Sequence, residues 1–164
     1  MKILVTGGAG YLGSVLCADL IKNHEVVVYD NLMYNQLSLL SLFNNKNFKF
    51  VYGDVRDYSK LSNYVNEADV VIPLAAIVGF PACDRDKQLA TAVNYNQIKD
   101  ILKNISKDQK ILYPNTNSGY GQKTEGVCTE DQKLTPISHY GVTKCDSENL
   151  ILDTGRGITF RFAT

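Results

Sequence analysis

Short apolar runs alternate with helical periods along the whole chain. Ile3-Leu4-Val5 reads as a buried strand that breaks at Thr6 into a glycine turn, after which Leu12, Val15, Leu16 and Leu20 recur at helical spacing. Residues 25–29 are a β-branched run and predict a second strand, 36–44 a second helix, 48–52 a third strand and 57–68 a third helix. A fourth strand follows at 70–74. A single long helix is predicted over 86–105, through Leu89, Ala92, Val93, Ile98, Ile101 and Leu102, and a fifth strand over 110–114. A loop rich in Gly, Thr and Asp leads to a helix over 136–152 and a sixth strand at 158–162. Strands separated by helical crossovers predict an α/β fold, a doubly wound parallel sheet covered on both faces.

Composition narrows the class. The chain has 164 residues, one domain's worth, with 45% hydrophobic and 21% charged residues and a formal net charge of zero. No basic block offers a footprint for nucleic acid or an anionic membrane. Cys17, Cys83, Cys128 and Cys145 are scattered, without metal-ligand spacing, and read as reduced thiols; no metal is expected. The first strand occupies the amino end, where a signal peptide would sit, and the apolar stretch near 70–80 is too short to span a bilayer. A cytoplasmic protein is expected.

Chemistry enters at the glycine turn. Gly8, Gly10 and Gly13 trace G-x-G-x-x-G, and Gly7, Gly10 and Gly13 trace G-x-x-G-x-x-G, after a strand and at the opening of a helix. Glycines let backbone N–H groups approach a pyrophosphate, and the helix end presents unpaired amides and positive potential to the same anion. Asp30 ends the second strand about twenty residues later, where a carboxylate hydrogen-bonds an adenosine ribose and repels a 2′-phosphate. With no Arg or Lys in the turn or in Asn31-Leu32-Met33, NAD is favoured over NADP.

Tyr140 and Lys144 stand four apart and share a helix face. A free tyrosine titrates near ~10. An ammonium and a cationic nicotinamide ring beside it favour the phenolate and draw that value down.

Together these stretches resemble the short-chain dehydrogenase/reductase superfamily, in its extended branch of nucleotide-sugar epimerases, dehydratases and dehydrogenases. The matching motifs are Thr6-Gly7-Gly8-Ala9-Gly10-Tyr11-Leu12-Gly13, Gly53-Asp54-Val55, Leu74-Ala75-Ala76, Asn94, Thr116 through Gly121, and Tyr140 through Lys144. The resemblance implies a Rossmann-like sheet and selects the register of Gly7, Gly10 and Gly13. It implies that Tyr11, Leu12, Asp30 and Asn31 also border the cofactor, that Asp54 and Val55 flank its adenine, and that Leu74, Ala75 and Ala76 line the way to its nicotinamide ribose. Thr116, Tyr140 and Lys144 are the implied catalytic residues. Tyr140 is the acid/base, Thr116 bonds the reacting oxygen, and Lys144 orients the ribose and depresses Tyr140.

The implied reaction is hydride transfer between a sugar carbinol carbon and NAD, with a nucleotide sugar as substrate and a homodimer as the full-length assembly. Asn117-Ser118 stand where 4,6-dehydratases carry an Asp-Glu pair, which disfavours that activity. The runs from Ile72 to Gly79 and from Tyr113 to Gly121 look like a surface-polysaccharide subgroup that includes GDP-heptose dehydrogenases and epimerases. Asn94 is expected to satisfy backbone groups within its helix, His139 to lie at a core edge or in solvent, and Cys83 to be a packing thiol. Family members run to about twice this length, so residues 1–164 are expected to be the NAD-binding domain, with the substrate-binding C-terminal part outside the chain. An exposed apolar edge and self-association are expected of the chain alone. A non-catalytic NAD(H)-binding protein and an inactive fragment are the alternatives.

Overall fold

The computed structural model describes residues 1–122 and 126–163. Residues 123–125, within the predicted loop, lie outside them. The six predicted strands form β1 (Lys2–Thr6), β2 (Glu25–Asp30), β3 (Phe48–Tyr52), β4 (Val70–Pro73), β5 (Lys110–Thr116) and β6 (Gly157–Phe162). They make one parallel sheet in the order β3-β2-β1-β4-β5-β6. The chain winds outward from β1 to one edge, returns beside β1 as β4, and winds to the other. That reversal sets a crevice at the carboxyl ends of β1 and β4.

Helices α1 (Tyr11–Leu20), α2 (Tyr58–Glu67), α3 (Phe80–Arg85), α4 (Lys87–Thr91), α5 (Gln97–Asn104) and α6 (His139–Asp153) cover the sheet. Two apolar cores result. Ile3, Val5, Val26, Val28 and Ile72 pack with Cys17 of α1 on one face. Leu4, Val27, Val71 and Ile111 pack with Leu61, Ile98, Ile101 and Ile151 on the other. Alternate residues of each strand serve opposite faces, which is why these central strands are apolar throughout. Ile158, Phe160 and Phe162 of edge strand β6 are exposed, with the two Phe rings stacked at 6.2 Å. The expected apolar edge is present. No helix among the described residues is long and apolar enough to cross a membrane.

Pro73 shapes the crevice. Leu74 N–H donates to Thr6 O on β1 (2.9 Å), so the hydrogen-less nitrogen of Pro73 is on the β5 side. Hydrogen-bonded pairing of β4 with β5 stops at Val71 and Ile111.

Two helix predictions need correction. Residues 36–44 contain only a 3₁₀ turn, Leu40–Leu42. Asn35 sits at φ +54°, the Ser38 hydroxyl donates to Ala9 O (2.7 Å), and Leu39 and Leu42 are buried, three apart. That spacing suits a 3₁₀ period, and the tie to the glycine turn holds the segment against it. The long helix over 86–105 is α4, a π-helical turn (Ala92–Asn96) and α5 in series. The widened turn brings the Asn94 and Gln97 side chains inward. The preceding α3, not predicted, carries a proline in its first turn as a sequence signal.

Candidate active site

Gly7 leaves β1 at φ +69°, and a Cβ there would lie 2.4 Å from Ala75 N. Gly13 packs equally close to the backbone of Gly8, at 2.6 Å. At Gly10 an added Cβ would meet only Gly7 O at 3.2 Å, so its open side faces the crevice. Gly10 is also the N-cap of α1 and supplies no side-chain cap. The amides of Tyr11, Leu12 and Gly13 are the first-turn donors that no intrahelical carbonyl can reach. A helix start with bare donors and a Cβ-free approach fits a pyrophosphate.

Asp30, buried at the end of β2, accepts from Ala9 N–H (2.9 Å) and Leu32 N–H (2.8 Å). Its carboxylate thereby ties the glycine turn to the loop that follows β2, where Leu32 holds φ +52°. Asn31 Nδ2 donates to Asp54 (3.2 Å), and Arg56 clasps Asp54 through Nε (2.9 Å) and Nη2 (2.7 Å). Hydrogen bonding from Arg56, ahead of burial acting the other way, holds the Asp54 carboxyl down at about 2.

At the opposite end Thr116 closes β5, buried, and caps the 3₁₀ turn Asn117–Tyr120. Its hydroxyl accepts from Ser118 N–H (3.2 Å) and lies 3.1 Å from Ser118 Oγ. Ser138 caps α6 by accepting from Gly141 N–H (3.0 Å), which starts that helix at His139. Tyr140 and Lys144 follow on its first turns. Burial, then the Cys83 thiol, pushes the Tyr140 phenol up, while hydrogen bonding with the Thr116 side chain pulls it down. Lys144 Nζ donates to Pro114 O (2.6 Å) and stands 3.9 Å above the Tyr113 ring. Burial lowers it to about 7.

One cavity of about 500 Å³ joins these parts. Gly7, Gly10, Tyr11, Leu12 and Gly13 line it from the glycine turn and the start of α1, Asp30, Asn31, Asp54 and Val55 from the ends of β2 and β3 and the loops after them, and Leu74, Ala75 and Ala76 from the segment after β4. Thr116, Tyr140 and Lys144 close its far end. Each cofactor-binding and catalytic candidate named from the sequence lines it. The lowering expected of Tyr140 includes the charge of a bound nicotinamide ring. In the chain by itself burial of the phenol dominates and raises it, and the Lys144 ammonium is turned to Pro114 and Tyr113.

The sequence model of the NAD dependent epimerase/dehydratase family matches residues 3–164. The chain belongs to that family. It is 34% identical over 161 residues to a Bacillus subtilis protein named as an uncharacterized UDP-glucose epimerase, YtcB, the match covering 92% of this chain and 50% of the relative. The low-salt glycan biosynthesis protein Agl12 of Haloferax volcanii is 31% identical, with 92% and 51% covered. UDP-glucuronic acid 4-epimerase from Bacillus cereus, solved with UDP-glucuronic acid and NAD, superposes with a TM-score of 0.87 at 34% identity, over 98% of this chain and 56% of that one. The chain spans about half the length of the curated relatives it matches.

Behind the cavity of this epimerase/dehydratase chain stand Asn94, which the sequence flagged for a different role, and Gln97, which it did not flag. The Asn94 side chain bonds Ile77 N (2.8 Å) and Ile77 O (3.0 Å), outside its own helix, which corrects the expected role. Buried Gln97 donates to Ala75 O (2.6 Å). These two amides fix the Ala75–Ile77 segment, and the π-helical turn that aims them is a long-range fit with no local signature. Cys83 is a packing thiol bonded to Ile77 O (3.1 Å), and His139 bonds Thr91 Oγ1 (2.9 Å), both at the expected kind of place. Among the described residues no cluster of His, Cys, Asp and Glu could hold a metal.

The lowered Lys144 makes a stability prediction. Between its folded value of about 7 and its unfolded value near ~10.4, the unfolded chain binds more protons, so stability rises with pH. From pH 7 to about 8.5, below the free thiol range, the melting temperature of the protein is expected to rise relative to that of Lys144→Met. Parallel curves in calorimetry would show that the amine titrates as it does in water.

Proposed function

We propose that this chain binds NAD across the crevice and transfers hydride between it and a carbinol carbon of a nucleotide sugar, as an epimerase or dehydrogenase of surface-polysaccharide or glycan synthesis. The observation carrying this is that Thr116, Tyr140 and Lys144 line the same cavity as the glycine turn and Asp30. The glycine turn and the first-turn amides of α1 take the pyrophosphate, Asp30 the adenosine ribose, Asp54 and Val55 the adenine, and Leu74–Ala76 the nicotinamide side.

When bound, NAD supplies the hydride acceptor and, in the return step, the donor. Tyr140 moves the proton: as phenolate it accepts from the sugar hydroxyl, and as phenol it donates to the ketone oxygen. Thr116 hydrogen-bonds that oxygen in both forms. Lys144 orients the nicotinamide ribose and offers positive charge to the phenolate. Release at the ketone is a dehydrogenation, and return of hydride to the opposite face is an epimerisation. Asn117-Ser118 supply no carboxylate pair for a 4,6-elimination. The B. cereus epimerase structure contains UDP-glucuronic acid and NAD, which supports a nucleotide-sugar substrate and this cofactor. A homodimer in the cytoplasm completes the proposal.

Incubation with NAD and a panel of UDP-hexoses, UDP-hexuronic acids and GDP-heptose, followed by NMR of the sugar and absorbance of NADH, tests it. An epimer or a ketone with NADH is expected. NAD binding without turnover of any sugar points to a non-catalytic binding protein or an inactive fragment, and absence of NAD binding removes the proposal altogether.

Asp30 makes the cofactor choice testable by titration. The protein is expected to prefer NAD to NADP. Asp30→Asn keeps one acceptor for the protein's own amides but turns an NH₂ toward the other, and it removes the charge from the acceptor offered to the adenosine ribose, a hydrogen bond of roughly 1.5–3 kcal/mol. NAD affinity should fall by about 10- to 100-fold, and discrimination against NADP should narrow. Preference of the unaltered protein for NADP would overturn the role given to Asp30.

A further inference from the structure

Below the catalytic end of the cavity lies a buried charged network that the proposed reaction does not use. Glu148, 1% exposed, sits one helical turn beyond Lys144 on α6. Its carboxylate accepts from Arg161 Nε (3.0 Å) and Nη2 (2.9 Å), from Thr159 Oγ1 (2.9 Å), and from Asn115 Nδ2. A buried ion pair would need Arg161 alone. The further partner, Asn115, leads into the site, because its Oδ1 accepts the backbone N–H of Thr116 at 2.8 Å. Arg161 leads to the other end of the same short turn, donating to Tyr120 OH (3.1 Å) and to Glu130 O (2.9 Å).

The chemistry of the acceptor gives the relay a direction. An ionised carboxylate only accepts, so it holds the Asn115 NH₂ toward itself and leaves the amide oxygen facing Thr116. A glutamine at 148 accepts or donates equally well and tolerates Asn115 flipped. Thr116 N–H would then face a donor. We infer that Glu148 is a positioning residue of this site: through Asn115 it fixes the backbone of Thr116, and through Arg161 it fixes the Tyr120 end of the turn that presents the Thr116 hydroxyl to Tyr140. The inference rests on the catalytic reading of Thr116 and Tyr140.

Amide hydrogen exchange by NMR on the protein reads the relay directly. In Glu148→Gln, exchange of the Thr116 amide is expected to accelerate at least about tenfold more than that of Ile111. The Ile111 amide lies on the same strand but bonds Arg156 O (3.2 Å), outside the relay. A role confined to holding the fold would speed both amides equally. If the single variant does not fold, the double variant E148Q/R161Q, which leaves no unpaired buried cation, gives the same comparison. In turnover, kcat should fall while the NAD dissociation constant stays unchanged. Equal acceleration of the two amides, or an unmoved Thr116, overturns the inference. The exchange needs neither nucleotide nor sugar, so failure of the unaltered protein to bind NAD would sink the functional reading by a separate measurement.

Discussion

Tyr140→Phe is expected to lower turnover of the nucleotide sugar by about a thousandfold, the middle of the range for a positioned acid/base. NAD affinity should stay within about tenfold, since Tyr140 borders the cofactor through one neutral hydroxyl and such a hydrogen bond is worth about 0.5–1.5 kcal/mol. The expectation follows from how the two groups are perturbed. In water Tyr and Lys titrate close together, near ~10 and ~10.4. Here burial pushes the Tyr140 phenol up and Lys144 down to about 7, so the phenol keeps its proton as the amine loses its own. Environments that separate two titrating neighbours in this way assign them different roles. Tyr140 is set to give a proton to a developing alkoxide, and positive charge brought to the cavity favours the reverse transfer. Thr116→Val, which removes the hydroxyl whose hydrogen bonding pulls the Tyr140 phenol down and keeps the shape, should cost less, about 10- to 100-fold. Turnover by Tyr140→Phe equal to that of the unaltered protein would take the phenol out of the reaction and leave the cavity as a nucleotide site only.

The parts of this site legible in the sequence are those whose geometry is local. Tyr140 and Lys144 lie one turn apart on any helix, the glycines stand within seven residues, and Asp30 ends a β-branched run. The six strands were equally plain, since apolar runs bounded by turns have one reading in an alternating chain. What stayed hidden depends on residues far apart in sequence. Gln97 meets Ala75 across 22 positions, Ser38 meets Ala9 across 29, and Glu148 meets Asn115 across 33. Nothing in the composition around Gln97 or Glu148 separates a buried amide or carboxylate from a solvated one. The mistaken helix over 36–44 has the same origin: an apolar period of three to four suited a helix, and the tie of Ser38 to the glycine turn overrode it. The direction of the Tyr140 shift in the chain by itself was also beyond the sequence. It required the depth at which the phenol is buried, and the fact that the Lys144 ammonium is spent on Pro114 O.

The other large effect belongs to the glycine turn, where two single substitutions should come apart. Gly7→Ala puts a methyl 2.4 Å from Ala75 N and 2.5 Å from Ala75 Cα, backbone that Gln97 and the β1–β4 ladder hold in place, at φ +69°. Left-handed backbone costs an alanine roughly 1–2 kcal/mol, and forced overpacking roughly 1–3 more. A loss of about 2–5 kcal/mol is a large part of a domain's 5–15 and should lower the melting temperature by about 10 °C for a chain of this size. Gly10→Ala has ordinary dihedrals and meets only Gly7 O at 3.2 Å, so it should melt within a few degrees of the unaltered protein. Its methyl nevertheless stands where the pyrophosphate would meet the bare amides of α1, and NAD affinity should fall by about a hundredfold or more, the scale of displacing charge-assisted hydrogen bonds. Calorimetry and nucleotide titration on the two variants separate the effects. A Gly10→Ala protein that binds NAD normally would mean that the phosphates lie elsewhere, and the assignment of the α1 amides would fall with it.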